Sequence, residues 1–584
     1  MGRRIFAGLA TDTPNLKSDL GFRNSLPVVL ALSAGVCALY WPALDFGFLT
    51  DDFILLAQLQ QRGIPWFSSW LSDSGFFRPM TSLSLALDLG FNATSPLGYH
   101  VTNLLLHLFV VVALYSISFL LLRSNNRSTT RRANVFAALL AFWFAVHPAN
   151  GIDVVWISGR TDLLACLFIL VSWGFHLRWK ANRARLLFVL SSISFVLALG
   201  CKEVAVTIPT VVLFGDYVHE RSKNIPPMES LVSSFKETSH LWLIAAVYLG
   251  IRLVVLDETP AMLAFQGRYI IDLLILSAKS VVLVISPLDP LTAYTFLRGV
   301  PIPIIAVASL AVGIVGFKVL QSLAIVHPRF SEFLGVVIFG ILAVSSLHIA
   351  SGIVTQRLMY VPIACVCVLV SAVVANLNVR HNWQCKLRFI VVAGGVPLII
   401  CAALTQRELS VWERVAKAEN SATDDLANQV RRITAPIVIA LYPGRVLQMG
   451  MYWAFDYRLH FALTGRFGRL TNIRTGIGIV GLDPETIGQS IRLDPKDLRS
   501  MTWEVVSENE SEYLFTDQSQ RAPNAIDLIE REGTQRTNLL LASTPLRLNA
   551  ATRPVHYRIT ILDTLAWDGG AIFVWRSGKF ERLR

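Results

Sequence analysis

The chain has 584 residues, of which 53% are hydrophobic and only 16% charged, against about 25% charged in an ordinary soluble domain. That balance excludes a chain that is soluble throughout. The net charge of +12 does not point to nucleic acid, because the basic residues crowd short loops between long apolar runs, as the positive-inside rule requires of cytoplasmic loops.

Apolar runs long enough to span a bilayer recur from about residue 25 to 405. The expected spans are 25–44, 101–122, 133–148, 161–178, 186–201, 203–219, 239–256, 301–320, 333–350, 357–378 and 389–406. The loops bearing Arg123, Arg127, Arg131 and Arg132, then Arg178, Lys180, Arg183 and Arg185, then Arg380, Lys386 and Arg388 belong on the cytoplasmic side. A further apolar run, 270–287, carries Asp272 and Lys279. Counting it as a span would move the later basic loops outside, so it is expected as an interfacial or re-entrant segment within an outer loop of about 257–300. Eleven spans then leave the C-terminus outside. Cys37, Cys166, Cys365, Cys367 and Cys401 lie in apolar runs and read as small core residues.

This topology opens a long first outer loop, 45–100, which starts with the pair Asp51-Asp52 and carries Trp66 and Trp70 at interfacial positions. After about residue 410 the pattern changes to short alternating runs with turn residues. "APIVIALYPG", "RTGIGIVGL", "VHYRITILDTL" and "AIFVWRSG" read as strands, and "ATDDLANQVRR" and "NAIDLIEREG" as helices. The expected architecture is a polytopic α-helical membrane domain over 1–410, with about 11 transmembrane helices, and a soluble α/β domain over 411–584.

The outer side collects charged groups. Asp51, Asp52, Arg78, His100 and His107 fall in or beside the first outer loop. Asp153, Arg160 and Asp162 fall in the second outer turn, Lys202 and Glu203 in the third, and Arg357 in a later one. Each has a structural alternative: Lys202-Glu203 can cap a helical hairpin, the arginines can pair with carboxylates for packing, and the histidines can be satisfied on helix faces. Together they match what a lipid-linked phosphate ester needs. Cations neutralise the phosphate through charge-assisted hydrogen bonds, and a carboxylate near an acceptor hydroxyl serves as general base.

The ordered motifs "LTDDFILL", "FFRPMTSLSLALD", "GYHVTNLLLH", "HPANGIDVVWISGRTDLLACLF", "CKEVAV" and "TQRLMYVP", followed by "RELSVWE", resemble the GT-C superfamily of polytopic glycosyltransferases. The branch is the protein O-mannosyltransferase-like one that includes the transmembrane and tetratricopeptide-repeat mannosyltransferases. The likeness runs over about residues 25–415 and stops short of the repeats, which this chain replaces with its own C-terminal segment.

The resemblance implies inverting transfer of a sugar from a polyprenyl-phosphate donor to a protein or glycan hydroxyl on the outer membrane face. It implies Asp51 or Asp52 as the base. Asp51 is the first choice, with Asp52 orienting or binding the acceptor, since adjacent residues on a helix do not face the same way. Arg160, Lys202 and Arg357 become donor-phosphate ligands, and Arg78, His100 and Glu203 second-tier candidates. A divalent metal at the carboxylates is possible, though no strong ligand spacing marks it. The expected partners are the donor lipid, the acceptor and the bilayer, with no nucleic acid. The expected location is a bacterial inner membrane with the C-terminal domain in the periplasm. The alternatives are a ligase for a preassembled lipid-linked glycan, a polytopic transporter or flippase, and a membrane anchor that presents the 411–584 domain.

Overall fold

A computed structural model describes residues 25–49, 52, 55, 78–92, 95–123, 130–255, 270–286, 330–351, 355–376 and 387–430, followed by nine strands between Val438 and Arg582. Asp51, the tryptophans Trp66 and Trp70, and the expected span 301–320 lie outside the described residues.

Helices fill the chain up to Val430. They are α1 (Leu26–Tyr40), α2 (Pro79–Asn92), α3 (Pro96–Arg123), α4 (Thr130–Ala145), α5 (Pro148–Val155) and α6 (Arg160–Asn182). Next come α7 (Arg185–Leu199), α8 (Ile208–Ser222), α9 (Pro227–Val255), α10 (Ile270–Ile285), α11 (Phe330–Ser351), α12 (Tyr360–Asn376) and α13 (Leu387–Val430). Short 3-10 turns stand at Trp41–Asp45, Ile157–Gly159, Glu203–Thr207 and Gln356–Leu358.

Among the described residues, four helical stretches are long and apolar enough to cross a membrane: Leu26–Asp45, Pro96–Arg123, Ile157–Asn182 and Glu332–Ile349. A fifth arises if α4 and α5, which meet at a bend of 63°, count as one span. The protein is a polytopic helical membrane protein. The expected segment 203–219 begins as the 3-10 turn Glu203–Thr207, and α8 carries Asp216, Glu220 and Arg221, so it falls short of a long apolar helix. The expected re-entrant run 270–287 is helical as α10.

α6 lies along α7 and α3, while α12 packs between α3, α8 and α11. Tyr40, Tyr115, Phe144, Trp173 and Tyr360 are fully buried where these helices meet. Many outward positions are large and apolar, such as Leu105 and Phe109 on α3, and Leu243 and Val247 on α9. A helix with apolar residues inside and outside suits a lipid surround.

α13 spans 44 residues, about 66 Å at 1.5 Å per residue, which is twice the depth of a bilayer core. It runs unbroken through the expected boundary at residue 410 and takes in "ATDDLANQV". Beyond it the described elements are strands. All four expected strands form: β1 (Val438–Pro443), β2 (Ile477–Leu482), β7 (Pro554–Ile561) and β8 (Ala571–Arg576). β1 runs parallel to both β2 and β8, and β8 pairs antiparallel with β9 (Lys579–Arg582). β7 joins an antiparallel sheet with β3 (Arg492–Pro495) and β4 (Met501–Glu510). The helix expected at "NAIDLIEREG" gives way at Ala525–Ile526, which pair as β5 with Leu541–Ala542 (β6). There long-range pairing overrides weak local propensity.

Candidate functional site

The loop after α1 is fastened by Asp52, whose side chain is fully buried. Its Oδ2 accepts the Leu49 backbone N–H at 2.9 Å. Its Oδ1 accepts both the N–H and the hydroxyl of Ser158, at 2.8 and 2.6 Å. Trp156 donates its indole N–H to the Leu49 carbonyl at 3.1 Å. One carboxylate therefore ties the loop after α1 to the turn between α5 and α6.

That turn owes its shape to local chemistry. Pro148 suits the first position of α5, and His147 Nδ1 accepts the Ala149 N–H at 3.2 Å as its cap. A Cβ on Gly159 would come within 2.4 Å of the Asp153 carbonyl oxygen, so only glycine lets the turn close. Both Asp52 oxygens are thus engaged in holding the backbone at Leu49 and Ser158. The expected base, Asp51, lies outside the described residues.

Arg160 opens α6 and is fully buried. Its Nε donates to Asn103 Oδ1 at 2.8 Å, Nη2 to the Tyr99 carbonyl at 2.9 Å, and Nη1 pairs with Asp88 Oδ2 at 2.6 Å. Asp88 also accepts from Thr102 at 2.9 Å. The guanidinium therefore joins α2, α3 and α6. His100 Nε2 meets the Gly47 carbonyl at 3.2 Å, and His107 Nδ1 meets the Tyr360 hydroxyl at 2.7 Å. Both histidines are buried.

Lys202 and Glu203 belong to a second network. Lys202 Nζ pairs with Asp162 Oδ2 at 2.5 Å. Arg78 grips Glu203 with two bonds, Nε to Oε2 at 2.9 Å and Nη2 to Oε1 at 2.7 Å. The start of α2 docks on the same turn, with the Met80 N–H on the Gly200 carbonyl at 3.0 Å and the Thr81 hydroxyl on the Cys201 carbonyl at 3.1 Å. "FFRPM" and "CKEV" thus meet across the fold.

Burial opposes ionisation of Glu203, but the charge and hydrogen bonds of Arg78 outweigh it and hold the carboxyl at about 2. A carboxyl held below its unfolded value near 4.3 stabilises the fold at neutral pH. That contribution begins to fade as pH falls below the unfolded value and is lost as pH passes through the folded one. Thermal melts of the wild type should therefore hold level above about pH 5 and fall toward pH 2. Glu203→Gln should flatten that acid limb. An unchanged limb would show that other carboxylates set it.

Arg357, in the turn Gln356–Leu358, lays its guanidinium carbon 4.0 Å from the centre of the Trp156 ring. It and Lys202 act by charge on Asp153, as does Asp162. Asp153 is fully buried, and neither of its carboxylate oxygens has a hydrogen-bond partner among the described residues. Lys202 and Arg357 thus lie within range to act on Asp153 by charge, while Arg160 pairs with Asp88. Asp88, Trp156 and Ser158 were not among the expected residues, and Asp153 was expected only as one of the outer-face charges; all lie within the motifs of the sequence. Among the described residues, no three His, Cys, Asp or Glu side chains are placed to hold a metal.

No family model matches the chain. It is 30% identical over 207 residues to the protein O-mannosyl-transferase Tmtc1 of Drosophila melanogaster, covering 33% of this chain and 23% of that protein. It is 26% identical over 236 residues to TMTC3 of Mus musculus, covering 37% and 24%. It is 32% identical over 151 residues to TMTC4 of Homo sapiens, covering 23% and 19%. The matches span about a quarter or less of the length of these relatives. Among solved structures, the crystal structure of ArnT from Cupriavidus metallidurans bound to undecaprenyl phosphate overlaps with a TM-score of 0.35 at 13% identity, over 78% of this chain and 86% of that one. Over these stretches the chain resembles the protein O-mannosyl-transferases.

Proposed function

From that likeness, we propose that the chain is an inverting glycosyltransferase. It moves a sugar from a polyprenyl-phosphate donor to an acceptor hydroxyl, on protein or glycan, at the outer membrane face. The observation that carries the reading is the Asp52 clamp. It ties Leu49 and Asp52, which flank Asp51 in the sequence, to the turn of Trp156 and Ser158; Arg357 from a separate turn lies over the Trp156 ring, and Asp162 in the first turn of α6 pairs with Lys202.

In this mechanism the acceptor oxygen attacks the anomeric carbon and its proton passes to Asp51. The bond from that carbon to the phosphate oxygen breaks through an oxocarbenium-like transition state, releasing polyprenyl phosphate. Lys202 and Arg357 meet the charge that grows on the leaving phosphate. Arg160 acts through Asp88, Asn103 and the Tyr99 carbonyl by holding α2 and α3 against α6. The donor ester supplies the driving force, so no nucleotide is consumed.

The reading keeps eleven spans, the catalytic part within 1–410, and the 411–584 segment outside, which is periplasmic in a bacterial inner membrane. The named relatives make mannose the first sugar to test.

Lys202→Gln tests the phosphate site, since glutamine can still donate to Asp162. Binding of polyprenyl phosphate to the full chain in nanodiscs should weaken about tenfold or more, the scale of one charge-assisted contact. The melting temperature should fall as well, because Asp162 loses its buried cation, so binding is compared at a temperature where both proteins are folded. Unchanged binding would remove Lys202 from the donor site.

A further inference from the structure

One motif has no part in the proposed chemistry, "RELSVWE" on α13. Thr405 on this helix donates to the Val146 carbonyl at 2.7 Å, and Gln406 donates to the Leu39 carbonyl at 2.6 Å. Gly151 of α5 lies so close that a Cβ there would touch Thr405, Glu408 and Leu409 at 3.7–3.9 Å. α13 is therefore pinned across the bend between α4 and α5. Its Trp412 is buried and stacks on Trp156, with ring centres 6.4 Å apart and planes at 23°.

We propose that Trp412 is a positioning residue for Arg357, acting through Trp156. The chain of contacts is continuous. Trp412 packs on the Trp156 ring, the edge of that ring donates to the Leu49 carbonyl, and Arg357 lies over the same ring at 4.0 Å. An aromatic platform holds a guanidinium by its face and leaves the N–H groups at its edge directed in plane, the geometry that receives a phosphate. The indole can serve only if it does not tilt. The hydrogen bond to Leu49 restrains one edge, and Trp412 restrains the ring from α13. The helix that leads toward the C-terminal strands thereby sets the aim of a cation in the site. The phosphate as ligand rests on the function proposed above; the stack does not.

The experiment uses the full chain in nanodiscs, with Trp412→Ala, Trp412→Leu and Trp412→Phe, and has two readouts. The first needs no ligand: phenylglyoxal modification of Arg357, followed by mass spectrometry. Losing the ring in the Ala and Leu variants should raise the modification rate about threefold or more, and Phe should restore it. The second is polyprenyl phosphate binding. Trp412→Leu should weaken it about tenfold, Phe should recover most of it, and Trp412→Leu should add nothing in an Arg357→Gln background.

Equal modification rates in all variants would overturn the proposal. So would Trp412 and Arg357 effects that multiply, because that makes them independent. If modification follows the ring while the wild type binds no polyprenyl phosphate, the donor reading falls and the positioning role stands.

Discussion

Asp51→Asn should abolish sugar transfer while leaving expression, melting temperature and polyprenyl phosphate binding near those of the wild type. Removing a general base costs about 10²–10⁴-fold in rate, and this substitution keeps the side chain's shape. The neighbouring change, Asp52→Asn, should behave differently. The Asp52 carboxylate accepts at both oxygens, Oδ1 from Ser158 and Oδ2 from Leu49. An amide has one acceptor oxygen, so one N–H would face another N–H in a buried site. The cost of such an unsatisfied group is about 1–3 kcal/mol, read as a lower melting temperature together with lost activity. Two adjacent aspartates would then separate into one that affects rate alone and one that affects rate and fold. Full activity in Asp51→Asn would remove it as the base.

Arg160→Ala should be among the most damaging single changes to stability. It strips a fully buried guanidinium from Asp88, Asn103 and the Tyr99 carbonyl at once. Breaking a buried ion pair by removing one partner costs about 3–5 kcal/mol, because the other charge is left uncompensated. Removing both partners should be milder. Arg160→Met with Asp88→Leu should therefore melt above Arg160→Ala, since an apolar pair of similar volume can replace a buried ion pair at little cost. Thermal melts of the three proteins, wild type included, decide it. If Arg160→Ala instead melts like the wild type and loses only donor binding, Arg160 is a phosphate ligand, as the family resemblance implies.

The sequence was informative where local chemistry decides structure. Apolar runs marked the helical stretches that are long and apolar enough to cross a membrane, because a bilayer demands length and hydropathy and little else. Alternation marked four C-terminal strands, β1, β2, β7 and β8. The turn between α5 and α6 was legible as a motif, but not as a partner of Asp52. That contact joins residues 106 apart in the chain, and no periodicity encodes it.

The same holds for Arg160. The sequence showed a cation at a helix start, while its partner Asp88 sat in a different motif with no charge pattern to connect them. Lys202 and Glu203 read as one unit, yet they separate in the fold, one turned to Asp162 and the other to Arg78. Trp412 stood in a quoted motif, but only stacking geometry relates it to Arg357.

The most direct test is transfer itself. Purified full-length protein is incubated with polyprenyl phosphates carrying radiolabelled sugars, mannose first, together with membrane extract as a source of acceptors, and Asp51→Asn is run alongside. Label should move from the lipid to protein or glycan with the wild type and stay on the lipid with the variant. Equal transfer by the two proteins, or none from any polyprenyl-phosphate sugar, would contradict the account.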